Sequence, residues 1–273
     1  MVRRWSLDCG RWADVACPDL VMSDVDGTLT DGGYGVSPHV AALLRDVVDA
    51  GVRVALITGR SLQSLTQIAA LVERPLILGS CNGGYVIDQV TGQVIHRARY
   101  DTALVEKIAQ ALEGEDAGIM YYTPQAVYAP ADFTMRGLVE SSEKIRVHFG
   151  MPPQFADVCK VTVAMNEELC EAIAARLQPQ FPQLVRSVPW ILEVTQSSAS
   201  KEAATRALLD DLGLDPSRVI GCGDGENDAN WLKMTGTVVA PEDATPGVRA
   251  IADVLVPPCE DEGVARFLAA HCR

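Results

Sequence analysis

The apolar positions of this chain change their period along its length. Residues 20–25 form a short apolar run broken only by Ser23 and Asp24, which reads as a strand. Val40, Leu43, Leu44, Val47 and Val48 then recur at helical spacing behind Ser37 and Pro38, an N-cap followed by a proline in the first turn. Gly51 is placed to stop that helix. A strand at 52–57, a helix at 61–73 and a strand at 75–78 follow. Strand–helix–strand repetition of this kind predicts a parallel sheet covered on both faces.

The pattern breaks at Asn82-Gly83-Gly84. Residues 85–88 and 93–95 read as a hairpin around Thr91-Gly92. A helix near 101–113, strands near 118–129 and a helix near 136–149 come next, then a strand at 160–164, a helix near 167–178 and an extended run at 190–195. This predicts a separate α+β sheet with helices on one side. The first pattern then resumes. Ser200 caps a helix that ends at Gly213, and strands at 218–222, 237–240 and 253–256 alternate with helices at 227–235, 246–251 and 264–271. The expected fold class is α/β: a Rossmann-like parallel-sheet core from residues 18–81 and 197–273, with an inserted α+β domain at 82–196. Residues 1–17 read as a loosely held extension.

Composition narrows the function. The chain has 273 residues and a net charge of −13. Such an acidic chain, with no basic tract, is a poor match for the nucleic-acid backbone, so no nucleic-acid partner is expected. No run approaches the roughly 18 apolar residues of a membrane span. The basic residues at the N-terminus have no apolar segment behind them, which argues against a signal peptide. The eight cysteines form no C-x-x-C pair and no zinc-type cluster with the four histidines. They read as free thiols of a cytoplasmic protein.

Four short segments carry chemistry. Asp24 and Asp26, in Asp24-Val25-Asp26-Gly27-Thr28, project together from the end of the first strand, where open α/β sheets build their sites. Two neighbouring carboxylates can divide nucleophilic and acid–base work, although D-x-D-G also describes a surface turn or a calcium-loop fragment. Thr58-Gly59-Arg60 offers a hydroxyl and an amide for a phosphate oxygen, or only a turn. Lys201 opposes the dipole of the helix that it starts, which suggests a second task such as holding an anion. Gly223-Asp224-Gly225-Glu226-Asn227-Asp228 crowds carboxylates at a strand end, in the manner of a magnesium site or of a solvated acidic loop.

The order and context of these segments resemble the haloacid dehalogenase-like (HAD) hydrolase superfamily. Its motifs are D-x-D-G-T, a Ser/Thr after the second strand, a Lys, and G-D-x-x-N-D. The resemblance covers about residues 20–81 and 197–270. The large insertion after the third strand, and Asn82-Gly83-Gly84 at its entrance, look like the Cof-type branch with an α/β cap. Some positions depart from that branch: Ala199 and Glu202 stand where glycines are usual, Trp231 where methionine is common, and Glu242-Asp243-Ala244 in place of Gly-Asn-Ala.

The resemblance implies a phosphatase acting on a small phosphorylated metabolite, a sugar phosphate or a phosphoglycolate-like acid. Asp24 would be the nucleophile and Asp26 the acid–base. Mg2+ would be held by Asp24, the Asp26 carbonyl and Asp224, with Asp228 binding it directly or through water. Thr58, Gly59, Lys201 and Asn227 would hold the phosphoryl group, and Asn82 and Gly83 would border the cap entrance. Cations are needed because a carboxylate about 4 Å from a phosphate charge feels repulsion on the order of 4 kcal/mol at an effective dielectric near 20. Arg136, Lys144, Lys160 and Glu193 of the insertion are possible leaving-group contacts, although each also suits a surface position. A phosphomutase on a sugar phosphate and a non-catalytic regulatory protein remain as alternatives on the same fold.

Overall fold

The computed structural model of the chain describes residues 3–5, 17–30 and 35–272. One sheet contains β1 (Arg3–Arg4), β2 (Leu20–Ser23), β3 (Arg53–Ile57), β4 (Ile77–Ser80), β5 (Tyr85–Asp88) and β6 (Val94–Arg97). It is completed by β13 (Val219–Cys222), β14 (Thr237–Pro241) and β15 (Val254–Val256), in the order β1-β15-β14-β13-β2-β3-β4-β5-β6. From β1 to β4 every pairing is parallel; β5 and β6 extend the sheet antiparallel. On one face, α1 (Pro38–Asp49), α2 (Leu62–Val72) and α9 (Gly263–His271) pack over Val21, Val54, Leu56 and Ile220. On the other, α6 (Lys201–Leu212), α7 (Ala229–Leu232) and α8 (Pro246–Ile251) cover Leu20, Met22, Ala55 and Ile57. Alternate residues of the same strands thus feed two cores, the pattern of a sheet buried on both sides.

The second sheet holds β7 (Gly118–Tyr122), β8 (Val127–Ala129), β9 (Val147–Phe149), β10 (Lys160–Ala164), β11 (Leu184–Val188) and β12 (Ile191–Val194). Its order is β11-β12-β10-β7-β8-β9, antiparallel except for the β8–β9 pair. One face packs on α3 (Thr102–Ala111) and α5 (Glu167–Leu177). The other packs with α4 (Arg136–Glu143) on Cys81 and Tyr85 of the first sheet's side.

Four expectations change. The 85–97 hairpin belongs to the first sheet, because β5 pairs with β4 along its whole length; the second sheet's segment starts after Ala98 rather than at 82. The helix expected over 136–149 stops at Lys144, whose backbone is left-handed (φ 50°), and 147–149 becomes a strand. The helix expected at 227–235 is regular only over Ala229–Leu232. Within the extension, Arg3–Arg4 pair with β15 and Trp5 is buried edge-on against Phe267. The rest of that extension up to residue 16, namely 1–2 and 6–16, lies outside the described residues. Among the described residues no helix is long and apolar enough to cross a membrane.

Candidate active site

Three adjacent parallel strands, β13, β2 and β3, end at the same level, with Ser23 in register with Cys222 and Leu56. The residues just past these ends are therefore neighbours in space. The Asp24 amide donates to the Cys222 carbonyl (2.9 Å), which continues the ladder by one residue and turns the Asp24 side chain into a buried position. Beyond it, Gly27 turns at φ 80°, and a Cβ there would lie 2.3 Å from Asp224 Oδ2. The bare backbone at 27 is what lets the two loops approach so closely.

Lys201, in the first turn of α6, extends under both loops. Its Nζ lies 2.8 Å from Asp24 Oδ1 and 2.6 Å from Asp228 Oδ1. Asp228 Oδ1 also accepts from Trp231 Nε1 (2.8 Å), and its Oδ2 from the amides of Asp224 (3.3 Å) and Gly225 (3.0 Å). Asp224 Oδ1 accepts from the Thr28 hydroxyl (2.8 Å). Asp24, Asp224 and Asp228 each offer a carboxylate oxygen, and these oxygens lie within 4.8 Å of one another.

The electrostatics follow from burial. Desolvation pushes Asp24 up to about 7, against the pull of Lys201, while the neighbouring Asp228 adds to the rise. Burial likewise raises Asp224. Burial lowers Lys201, but Asp24 and Asp228 outweigh it and hold the ammonium above its ordinary range. Three carboxylates face one ammonium, so the cluster is short of positive charge. Hard oxygen donors with excess negative charge fit a divalent cation such as Mg2+.

Asp26 points elsewhere. Its carboxylate is half-exposed, paired with the Arg60 guanidinium, and 3.5 Å from the Thr58 hydroxyl. It borders a cavity of about 410 Å3, as do Gly59, Asn82 and Asn227. Gly83, expected at the entrance, instead packs on the start of α6, where a Cβ would meet Ala204 at 2.5 Å. Of the four candidate contacts from the insertion, Lys160 and Glu193 line the cavity; Arg136 and Lys144 do not. Sequence reasoning passed over Arg60, Glu143 and Trp190, which line the cavity, and the role of Trp231. The Thr58-Gly59-Arg60 segment and the unusual tryptophan were the available signals for Arg60 and Trp231.

A family model described as haloacid dehalogenase-like hydrolase matches residues 21–268. The chain belongs to that family. It is therefore a hydrolase, and the expected α/β fold class is borne out. A phosphoglycolate phosphatase of Methanopyrus kandleri is 27% identical over 258 residues, 91% of this chain and 95% of that protein. A 5-amino-6-(5-phospho-D-ribitylamino)uracil phosphatase of Bacillus subtilis is 25% identical over 274 residues, 93% and 97% of the two chains. A haloacid dehalogenase-like hydrolase of Bacteroides thetaiotaomicron shares the fold with a TM-score of 0.82 at 21% identity, covering 92% of this chain and 98% of that one.

Proposed function

We propose that this HAD-like hydrolase is a magnesium-dependent phosphatase of a small phosphorylated metabolite, working through an aspartyl-phosphate on Asp24. The observation that carries the reading is the buried Asp24 carboxylate, set on Lys201 at a joint strand end among two further carboxylates. The relatives named above are phosphatases of small metabolites. Asp24 and Asp224, with the Asp26 carbonyl, would hold Mg2+, and Asp228, whose oxygens already accept from Lys201, Trp231 and two amides, would act on it through water. When bound, the ion supplies positive charge to the phosphoryl oxygens and to the carboxylates around them.

The chain's own groups do the rest. An Asp24 oxygen attacks phosphorus, and the bond from phosphorus to the leaving oxygen breaks as Asp26 gives that oxygen a proton. Asp26 then takes a proton from water, which attacks the phosphorus of the acyl phosphate and frees Asp24 and inorganic phosphate. Lys201, the Thr58 hydroxyl, the Gly59 amide and Asn227 hold the phosphoryl oxygens. Arg60 orients Asp26 through their ion pair. Phosphoryl transfer depends mainly on this positioning and charge neutralisation.

The test is phosphate release from p-nitrophenyl phosphate with Mg2+. Asp24→Asn and chelation of the metal should each reduce it to background, while a melting curve shows the variant folded. Turnover that survives both changes would sink the mechanism.

A further inference from the structure

The leaving-group end of the cavity is built by the second sheet and α4, and its charges are already arranged against one another. Lys160 Nζ donates to the Gly59 carbonyl (3.1 Å), lies 3.9 Å from Glu193 Oε2 and sits 5.2 Å from the centre of the Tyr122 ring. Glu193 Oε1 accepts from Asn82 Nδ2 (3.0 Å). Glu143 Oε1 accepts from the Tyr122 hydroxyl (2.9 Å). Arg60 is paired with Asp26. Burial lowers Lys160, but Glu193 and Glu143 outweigh it and keep it protonated.

Among the described residues, both cations that line this cavity therefore face carboxylates of the protein, and the lining carboxylates outnumber them. Each carboxylate has room for about four donors, so Glu143, with the Tyr122 hydroxyl on one oxygen, keeps most of its acceptor capacity. Trp190, Ile191 and Val188, with Ser142 and Ser187, complete this end of the wall. A volume of about 410 Å3 also exceeds what a two-carbon acid fills, since a water occupies roughly 30 Å3.

We infer that Glu143 and Glu193 determine specificity: they select an uncharged leaving group rich in hydrogen-bond donors, a polyol of several carbons, and reject one that carries a second negative charge. The inference rests on the phosphatase reading and separates the two substrate classes that the sequence left open. Hydroxyls donate to the glutamate oxygens while the carbon chain lies on Trp190. A second carboxylate or phosphate would meet Glu143, while among the described lining residues Lys160 is turned to Gly59 and Glu193, and Arg60 reaches back to Asp26 at the reacting end of the cavity.

A matched pair of probes tests this on the wild-type protein with Mg2+: sorbitol 6-phosphate and 6-phosphogluconate, which share length and differ at the far end in a hydroxymethyl against a carboxylate. Phosphate release should favour the alcohol in kcat/KM by at least about tenfold, the size of one partly screened charge repulsion. Glu143→Gln, which keeps an acceptor for Tyr122, should reduce that ratio at least about threefold by raising turnover of the acid. Equal turnover of the pair, or a preference for the acid, would overturn the inference while leaving the phosphatase reading intact. Hydrolysis of p-nitrophenyl phosphate with neither six-carbon ester cleaved would also overturn it. No hydrolysis of any of the three would overturn both readings.

Discussion

Asp228 uses both of its oxygens inside the protein: Lys201 and Trp231 on one, the amides of Asp224 and Gly225 on the other. Removing one buried donor from such a network costs roughly 1–3 kcal/mol. Trp231→Phe should lower unfolding stability by about that amount in a denaturant titration. At Asp24 the consequence is a pH dependence. In the metal-free protein its folded pKa of about 7 lies above the ordinary 3.8. Its contribution to stability is fully present below pH 3.8 and is lost as pH rises through about 7. A cation needs the ionised form, so the rise in Tm on adding Mg2+ should be larger at pH 8 than at pH 6. Asp26 gives a third expectation. A general acid contributes about a hundred- to ten-thousandfold. Asp26→Asn should lose turnover within that range with alkyl phosphates. With p-nitrophenyl phosphate, whose leaving group needs no proton, it should still release a burst of about one equivalent of nitrophenolate. Stopped-flow absorbance would show the burst, and turnover without one would remove Asp26 from the activation of water.

At the scale of elements, the central strands and the helices around them were legible because burial on both faces leaves a plain signal: near-continuous apolar runs alternating with helical spacing. Elements at the margins were not. β11 carries Val185, Arg186, Ser187 and Val188 exposed at a sheet edge, so no burial pattern marks it. The stretch 136–149 was misread because the left-handed turn at Lys144 has no glycine to announce it, and Val139, Ile145 and Val147 are all buried in one cluster. The N-terminal strand was missed because two residues are too few to show a period. That short element still has weight. Trp5 is buried against Phe267, and a buried tryptophan truncated to alanine costs about 3–5 kcal/mol. Trp5→Ala should lower stability toward the lower end of that range, since β1 pairs over only two residues and can relax; a shift in Tm within error would mean that β1 is dispensable. The turn at Gly27 is a stricter element. Gly27→Ala would place a methyl against Asp224 and should abolish the Mg2+-induced rise in Tm while the protein still melts cooperatively.

Across the whole molecule, the site divides by what sequence can and cannot say. Asp24, Thr58, Lys201 and Asp224 to Asp228 are far apart in the chain, yet each falls at a strand end or helix start that the hydrophobic pattern locates. Their convergence could be foreseen from topology alone. Glu143 and Trp190 could not, and Glu193 could be named only as one of four candidates, since they meet only because the second sheet folds over Gly59 and Asn82. No local pattern encodes that juxtaposition. Asp24, Thr58 and Lys201 are backed by the clusters of the first sheet, whereas Glu143 and Trp190 are backed by a cluster that meets the first sheet's side at its border, at Cys81 and Tyr85. Substitutions that alter leaving-group contacts therefore leave the strand ends that hold Asp24 and Lys201 in place. Over a lineage, such a molecule can change what it consumes by drift at a few positions such as 143 and 193, without passing through ancestors that have lost the ability to break the bond.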